Sequence, residues 1–248
     1  MTGMARLGFA KSLPLLTLRP KGAPPTRILT TADATETAPY ERTRMYSEPI
    51  SPTDTDENGN AVSIDNSGQF RVTINGKNNV VKIANRTAGA RVVVNIQGNN
   101  NTIEIGKCAL RDFSIHIGSH QPVSGAKIRI GDHFSIEPGG AFEVLTDFAE
   151  VRIAEHCMFS RDIKIHFGDN PHLIFDKVTG EYKDGDGLIE IGRKVWVGEG
   201  CYLSKRARIA DECIVAARSV VTRSFTTPNC VIGGNPARIA KVASVKLV

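Results

Sequence analysis

The sequence predicts an all-β fold, a parallel coil of short strands wound into a triangular prism, and three observations carry that prediction. Aliphatic residues recur at strict six-residue spacing at Ile191, Val197, Leu203, Ile209, Val215 and Val221. A small or short residue follows each of them: Gly192, Gly198, Ser204, Ala210, Ala216 and Thr222. No long segment carries the 3.6-residue period of a helix. A period of six suits neither a helix nor a flat hairpin sheet. It suits a unit of one short strand and one corner, with the aliphatic residue inward and the small one letting the backbone bend. Four positions after each of the first five sits Val195, Cys201, Ala207, Cys213 or Ser219, sized to fill a corner. Three units close one coil, and each coil pairs in parallel with the next about 4.8 Å along the axis.

Residues 1–66 read as a separate N-terminal region, flexible or loosely docked. They are rich in Pro, Thr, Asp and Asn and hold few large apolar residues, too few for a core of their own. Lys11 and Pro14 interrupt the apolar stretch at the start, which argues against a signal peptide. A membrane-surface or partner-binding segment around Phe9–Leu18 is the other reading, although Pro14 would break a helix there. From residue 67 the pattern changes to short β-type runs: 70–74, 80–83, 92–96, 102–105, 127–130, 151–153 and 163–165. The six-residue spacing recurs in Ile130–Ile136–Phe142 and in Ile153–Phe159–Ile165. The runs Asn78–Asn79 and Asn99–Asn101 suit corners, because Asn tolerates left-handed backbone angles. The repeat breaks between Ile165 and Ile189, so 168–188 must project as a loop. The coil domain is thus expected over 67–242, with about eight coils and a length of roughly 35–40 Å, followed by a tail at 243–248.

Composition narrows the function classes. With 248 residues, 41% apolar and 23% charged, the chain is globular rather than disordered or collagen-like. No apolar run approaches the length of a transmembrane helix, which leaves only peripheral membrane association open. The five cysteines form no C-x-x-C pair, so neither a disulfide framework nor a zinc ribbon is expected, and a reducing cytoplasm fits. The net charge is +5, and residues 189–248 alone carry ten Lys/Arg against four Asp/Glu. No aromatic interleaving or nucleic-acid module accompanies that charge, so no nucleic-acid partner is expected.

The hexapeptide pattern resembles the hexapeptide-repeat, or isoleucine-patch, acyltransferases. Residues 191–198 look like that family's Ile-Gly-x-x-Val-Trp-Ile-Gly coil, and 215–222 look like its Ile-Gly-Ala-Gly-Ser-Val-Val-Thr coil. Residues 234–238, Gly-Asn-Pro-Ala-Arg, look like its terminal signature. Cys157-Met-Phe-Ser and the stretch 172–181 resemble a branch that acetylates surface polysaccharides. The resemblance spans about 70–242. It implies a left-handed parallel β-helix, acetyl-CoA as acyl donor, a saccharide acceptor, and a homotrimer with active sites between subunits.

It also implies roles for particular residues. His172 lies 24 residues before Trp196, as in the acetyltransferases resembled, and becomes the general base. A sugar hydroxyl is a poor nucleophile at neutral pH, and a neutral imidazole can take its proton. Asp169 or Asp176 could hold the imidazole tautomer. Trp196 would line the site, stacking on a substrate or steadying an oxyanion through its indole N–H. The pantetheine arm would run beside Gly198, Glu199, Ala216 and Ala217, and Thr222, Arg223, Arg238 and Lys241 would meet the phosphates. Arg218 stands where the family usually has Gly, and would either pair with a phosphate or obstruct the track. No metal is expected, and the cysteines read as core residues. Two other readings remain: a catalytically degenerate β-helix scaffold, for which Arg218 argues, and a zinc enzyme like the γ-class carbonic anhydrases, with three His ligands drawn from His116, His120, His133, His156, His166 and His172.

Overall fold

The computed structural model describes residues 44–46, 55–65, 68–169, 172–182 and 187–242. Every regular element among them is a strand, and the strands wind into a parallel β-solenoid of about seven turns. One turn shows the plan. Leu188–Ile191 lies on a first face, Trp196–Val197 on a second and Tyr202–Ser204 on a third. Each pairs in parallel with its counterpart eighteen residues on, as Ile191 with Ile209, Trp196 with Ile214 and Leu203 with Val221. The corners are called I/II, II/III and III/I below.

The inward residues are those the spacing selects. Ile191, Val197, Leu203, Ile209, Val215 and Val221 are each no more than 2% exposed, and the corner fillers Val195, Cys201, Ala207, Cys213 and Ser219 no more than 1%. Two rows of residues per face are therefore fixed by burial alone, and the residues between them point outward.

The residue before each corner filler explains the turn. Lys194, Gly200, Arg206, Glu212 and Arg218 all take left-handed backbone angles, with φ between 53° and 69°. Arg218 is thus one of five equivalent corner positions, four of which carry side chains.

Two differences from the sequence expectation concern extent. The first solenoid strand is Ala61–Asp65, pairing with Val80–Ala84, so the coil begins inside the region assigned to the N-terminal lead-in. A short strand at Arg44–Tyr46 adds antiparallel to residues 70–72. The rest of the lead-in, 1–43 and 47–54, and the tail 243–248 lie outside the described residues. There are also about seven turns rather than eight, because the early coils are longer. Ile191 and Ile209 are eighteen residues apart, whereas Ile105, Ile130 and Ile153 are twenty-five and twenty-three apart. The surplus sits largely at one corner, III/I, where the connections are 76–79, 98–101, 118–126, 145–149 and 168–187.

The asparagines of that corner divide the work. Asn78 and Asn100 take φ of 56° and 58°, while Asn60, Asn79 and Asn101 stack inside as a buried ladder. Asn79 donates from Nδ2 to Asn60 Oδ1 at 3.0 Å and to the Gly98 carbonyl at 2.9 Å, and its Oδ1 accepts from both the backbone N–H and the Nδ2 of Asn101. The ladder closes polar groups that a corner without side-chain partners would leave buried and unpaired.

The three faces differ in outward chemistry. The first carries Lys82, Glu104, Arg129, Arg152, Glu190 and Arg208 on successive rungs, with Arg129 reaching Glu104 at 3.2 Å and Glu150 at 2.8 Å. The second presents Ser135, Met158, Trp196, Ile214 and Val231. The third presents Asn95, His116, Glu143, His166 and Ser204.

Candidate active site

A groove of about 630 Å³ runs along corner II/III, lined by Glu137, Ser160, Arg161, Trp196, Gly198, Glu199, Ile214, Val215, Ala216 and Ala217. Its floor is a column in which each residue donates its N–H to the next coil: Glu137 to Phe159, Ser160 to Val197, Gly198 to Val215 and Ala216 to Ile232, at 2.8–3.0 Å. The side chains shrink from Glu to Ser, Gly and Ala along that column, so a carboxylate stands at one end and the side chains are short at the other. Gly198 is required by the coil itself, since a Cβ there would stand 2.7 Å from the Ala217 nitrogen. Trp196 stands on the second face beside the floor, 40% exposed, and its Nε1–H donates to Ser160 Oγ at 3.1 Å. The ring face is therefore what the indole offers a ligand, and its N–H is already engaged.

The charges around the groove are partly neutralised. Glu137 lies 3.7 Å from Arg111, and Glu199 3.6 Å from Arg218. Arg218 packs over Gly200 with its side chain 78% exposed and is not part of the groove lining.

The structure gathers Trp196, Gly198, Glu199, Ala216 and Ala217 in this groove and separates the other residues singled out in the sequence. Arg238 and Lys241 lie exposed on the last strand, Ala237–Val242, which pairs antiparallel with Cys230–Gly234. Thr222 and Arg223 occupy corner III/I, as do Asp169 and His172 in the projecting loop. Face III lies between that corner and the groove. His172 is exposed, and its backbone N–H donates to the Asp169 carbonyl at 2.8 Å. The Asp169 carboxylate engages Lys205, and that of Asp176 accepts from the N–H groups of Val178 and Thr179. Beside this loop His166 Nδ1 meets Glu143 at 2.8 Å and stacks against Tyr202, whose phenol is pushed up by burial and by the nearby Glu143 and Asp169 carboxylates. The loop also exposes Leu173, Ile174, Phe175 and Val178.

The remaining histidines are dispersed. His116 meets Asn95 at 3.2 Å, and His133 stacks on His156 with centroids 4.6 Å apart. Among the described residues no three His, Cys, Asp or Glu side chains converge as a zinc site requires. All five cysteines are free and buried. Burial pushes the Cys157 thiol up to about 11 and those of Cys108 and Cys213 to about 12. Thiols held that high are core residues rather than nucleophiles.

Glu137, Ser160, Arg161 and Ile214 are the groove residues that sequence reasoning did not select. Ser160 sits within a stretch already marked by its resemblance. Arg161 carried no local signal, because the 168–187 insertion conceals that it lies one coil from Glu199.

No protein-family model matches the chain. It is 32% identical over 117 residues to a polysialic acid O-acetyltransferase of Escherichia coli O1:K1, covering 47% of this chain and 37% of the relative. It is 28% identical over 123 residues to a Saccharomyces cerevisiae protein named as an acetyltransferase, covering 49% and 59%. The chain thus spans less than two thirds of the length of the curated relatives it matches. Among solved structures, the polySia-specific acetyltransferase NeuO aligns at 23% identity with a TM-score of 0.43, over 75% of this chain and 89% of that one. Over about half of its length the chain is thus similar in sequence to acetyltransferases, and it joins that similarity to strict inward hexads and small-residue corners.

Proposed function

We propose that the protein is an acetyl-CoA-dependent O-acetyltransferase that acts on a hydroxyl of a saccharide, in a cell-surface polysaccharide or its precursor. One observation carries this reading: the groove holds the platform and the small-residue track, while three of the residues missing from it share a single other corner. His172, Thr222 and Arg223 all stand at corner III/I. A second copy presenting that corner to the groove would complete the site, and a closed ring of three copies would complete three such sites. Two apolar surfaces support that contact, the loop side chains Leu173, Ile174 and Phe175 on one copy and the Met158–Trp196–Ile214 ladder on the other.

The groove fits the donor. A pantetheine arm can lie over Gly198 and Ala216, where short side chains permit close approach to backbone, and Arg238 and Lys241 flank the end where phosphates would emerge. The His172 imidazole takes the proton of the acceptor hydroxyl as its oxygen bonds to the thioester carbonyl carbon. The carbon–sulfur bond then breaks, and the imidazolium returns the proton to the departing thiolate. No acyl-enzyme is formed, consistent with five free cysteines that are all buried. A CoA donor and five free thiols suit a cytoplasmic reaction. No helix among the described residues is long and apolar enough to cross a membrane.

The test is to incubate the protein with acetyl-CoA and a panel of surface polysaccharides, following free thiol and ester-linked acetyl by mass spectrometry. Saccharide-dependent release of CoA with one acetyl ester per thiol is expected. Absence of CoA binding by calorimetry would contradict the reading and favour a scaffold.

A further inference from the structure

The charged residues lining the groove are Glu137, Arg161 and Glu199. Both carboxylates are compensated from outside the lining, Glu137 by Arg111 and Glu199 by Arg218. Arg161 makes no ion pair among the described residues, so the one uncompensated charge on the groove wall is a guanidinium. Its backbone is fixed, since its carbonyl accepts from Gly200 N–H at 2.9 Å across the coil. Its place along the groove is also defined. It sits on the coil of Ser160, beyond Trp196 and next to the Glu137 end, away from the Arg238 and Lys241 end.

We infer that Arg161 is the specificity-determining residue of an acceptor subsite for an acidic saccharide, one whose carboxylate pairs with its guanidinium while a sugar ring rests on Trp196. This rests on the saccharide reading above and names the class of saccharide. A planar guanidinium matches a carboxylate with two parallel N–H donors, which a neutral sugar cannot use as fully. The Trp196 ring, pinned by its bond to Ser160, offers a fixed apolar face for the C–H side of a pyranose. Glu137, held by Arg111, bounds the subsite and accepts from sugar hydroxyls. The pairing of Arg218 with Glu199 then acquires a purpose, because it keeps a second carboxylate from repelling anionic ligands.

The inference is tested with matched acceptors: sialic acid and uronic acid oligomers, each in native form and with carboxylates reduced to alcohols. Steady-state kinetics on Arg161→Gln and Arg161→Lys are paired with calorimetric titration of CoA. The expected result is that Arg161→Gln raises KM for a native oligomer by roughly tenfold to a hundredfold. It should leave KM for the reduced form and the affinity for CoA within about twofold, and Arg161→Lys should restore part of the loss. An equal rise in KM for native and reduced acceptors, or a matching loss of CoA affinity, would overturn the inference while leaving the acetyltransferase reading intact. Transfer to no saccharide by the unaltered protein would overturn both.

Discussion

Trp196 and Ser160 are joined across one coil by a single hydrogen bond, indole Nε1 to hydroxyl oxygen at 3.1 Å. That bond converts a half-exposed aromatic into a platform of fixed orientation at the middle of the groove. Ser160→Ala should free the ring and lower acceptor kcat/KM by roughly twofold to tenfold, the range for one neutral hydrogen bond. The melting temperature should stay within about two degrees, since Trp196 is not a core residue. Kinetics with the acceptor varied, beside a thermal melt, check both parts. An unchanged kcat/KM would mean that ring orientation plays no part.

Arg218 is held at φ 62°, where a residue without Cβ would sit unstrained. Arg218→Gly should therefore stabilise the fold by about 0.5–1 kcal/mol, raising the melting temperature by roughly 1–4 °C. It also uncovers Glu199, so CoA binding should weaken, by no more than about threefold because the pair is exposed. Tighter binding in the glycine variant would instead mean that Arg218 obstructs the track.

Asn79 is fully buried and bonds on both sides to its ladder neighbours. Asn79→Ala takes the Asn79 partner from the Gly98 carbonyl, the Asn101 backbone N–H and one hydrogen of Asn101 Nδ2, at a cost of roughly 2–4 kcal/mol. Denaturant unfolding should show the loss, with hydrogen exchange rising first in the coils around Asn60 and Asn101.

The sequence is most legible where the coil is shortest. From Ile191 to Val221 every hexad closes without surplus, so inward residues and corner fillers follow from spacing alone. The early coils hide the same plan because residues 118–126 and 145–149 stretch the period, and Ala61–Asp65 sits in a polar, Asn-rich context that reads as lead-in. The site divides in the same way. Trp196, Gly198 and Ala216 fall in one unbroken run and could be placed together. Ser160 and Arg161 belong to the same wall, but a 20-residue insertion separates them from it in sequence. For His172 the local motif carries only the expectation of a base, whereas its place at corner III/I emerges when the coils are stacked.

Burial holds Cys108, Cys157 and Cys213 as thiols, with folded values of about 12, about 11 and about 12. An unfolded chain ionises its thiols near pH 8.5. Above that pH the unfolded state holds fewer protons than the folded one, so stability is complete below it and declines as pH rises towards 11–12. Urea midpoints measured under reducing conditions between pH 7 and pH 11 should fall, and Cys157→Ala should flatten the decline while lowering the plateau.

His172 of one copy is expected to work with Trp196 of another. His172→Ala should reduce turnover by roughly 10²–10⁴ and leave CoA affinity nearly unchanged, and Trp196→Ala should also be strongly impaired. The direct measurement is the activity of the two variants refolded or co-expressed together in equal amounts. Shared sites predict recovery, because about a quarter of the interfaces in randomly mixed rings would pair an intact His172 with an intact Trp196. Activity of the mixture no higher than the average of the two variants alone would contradict the shared site and place both residues in the service of a single chain.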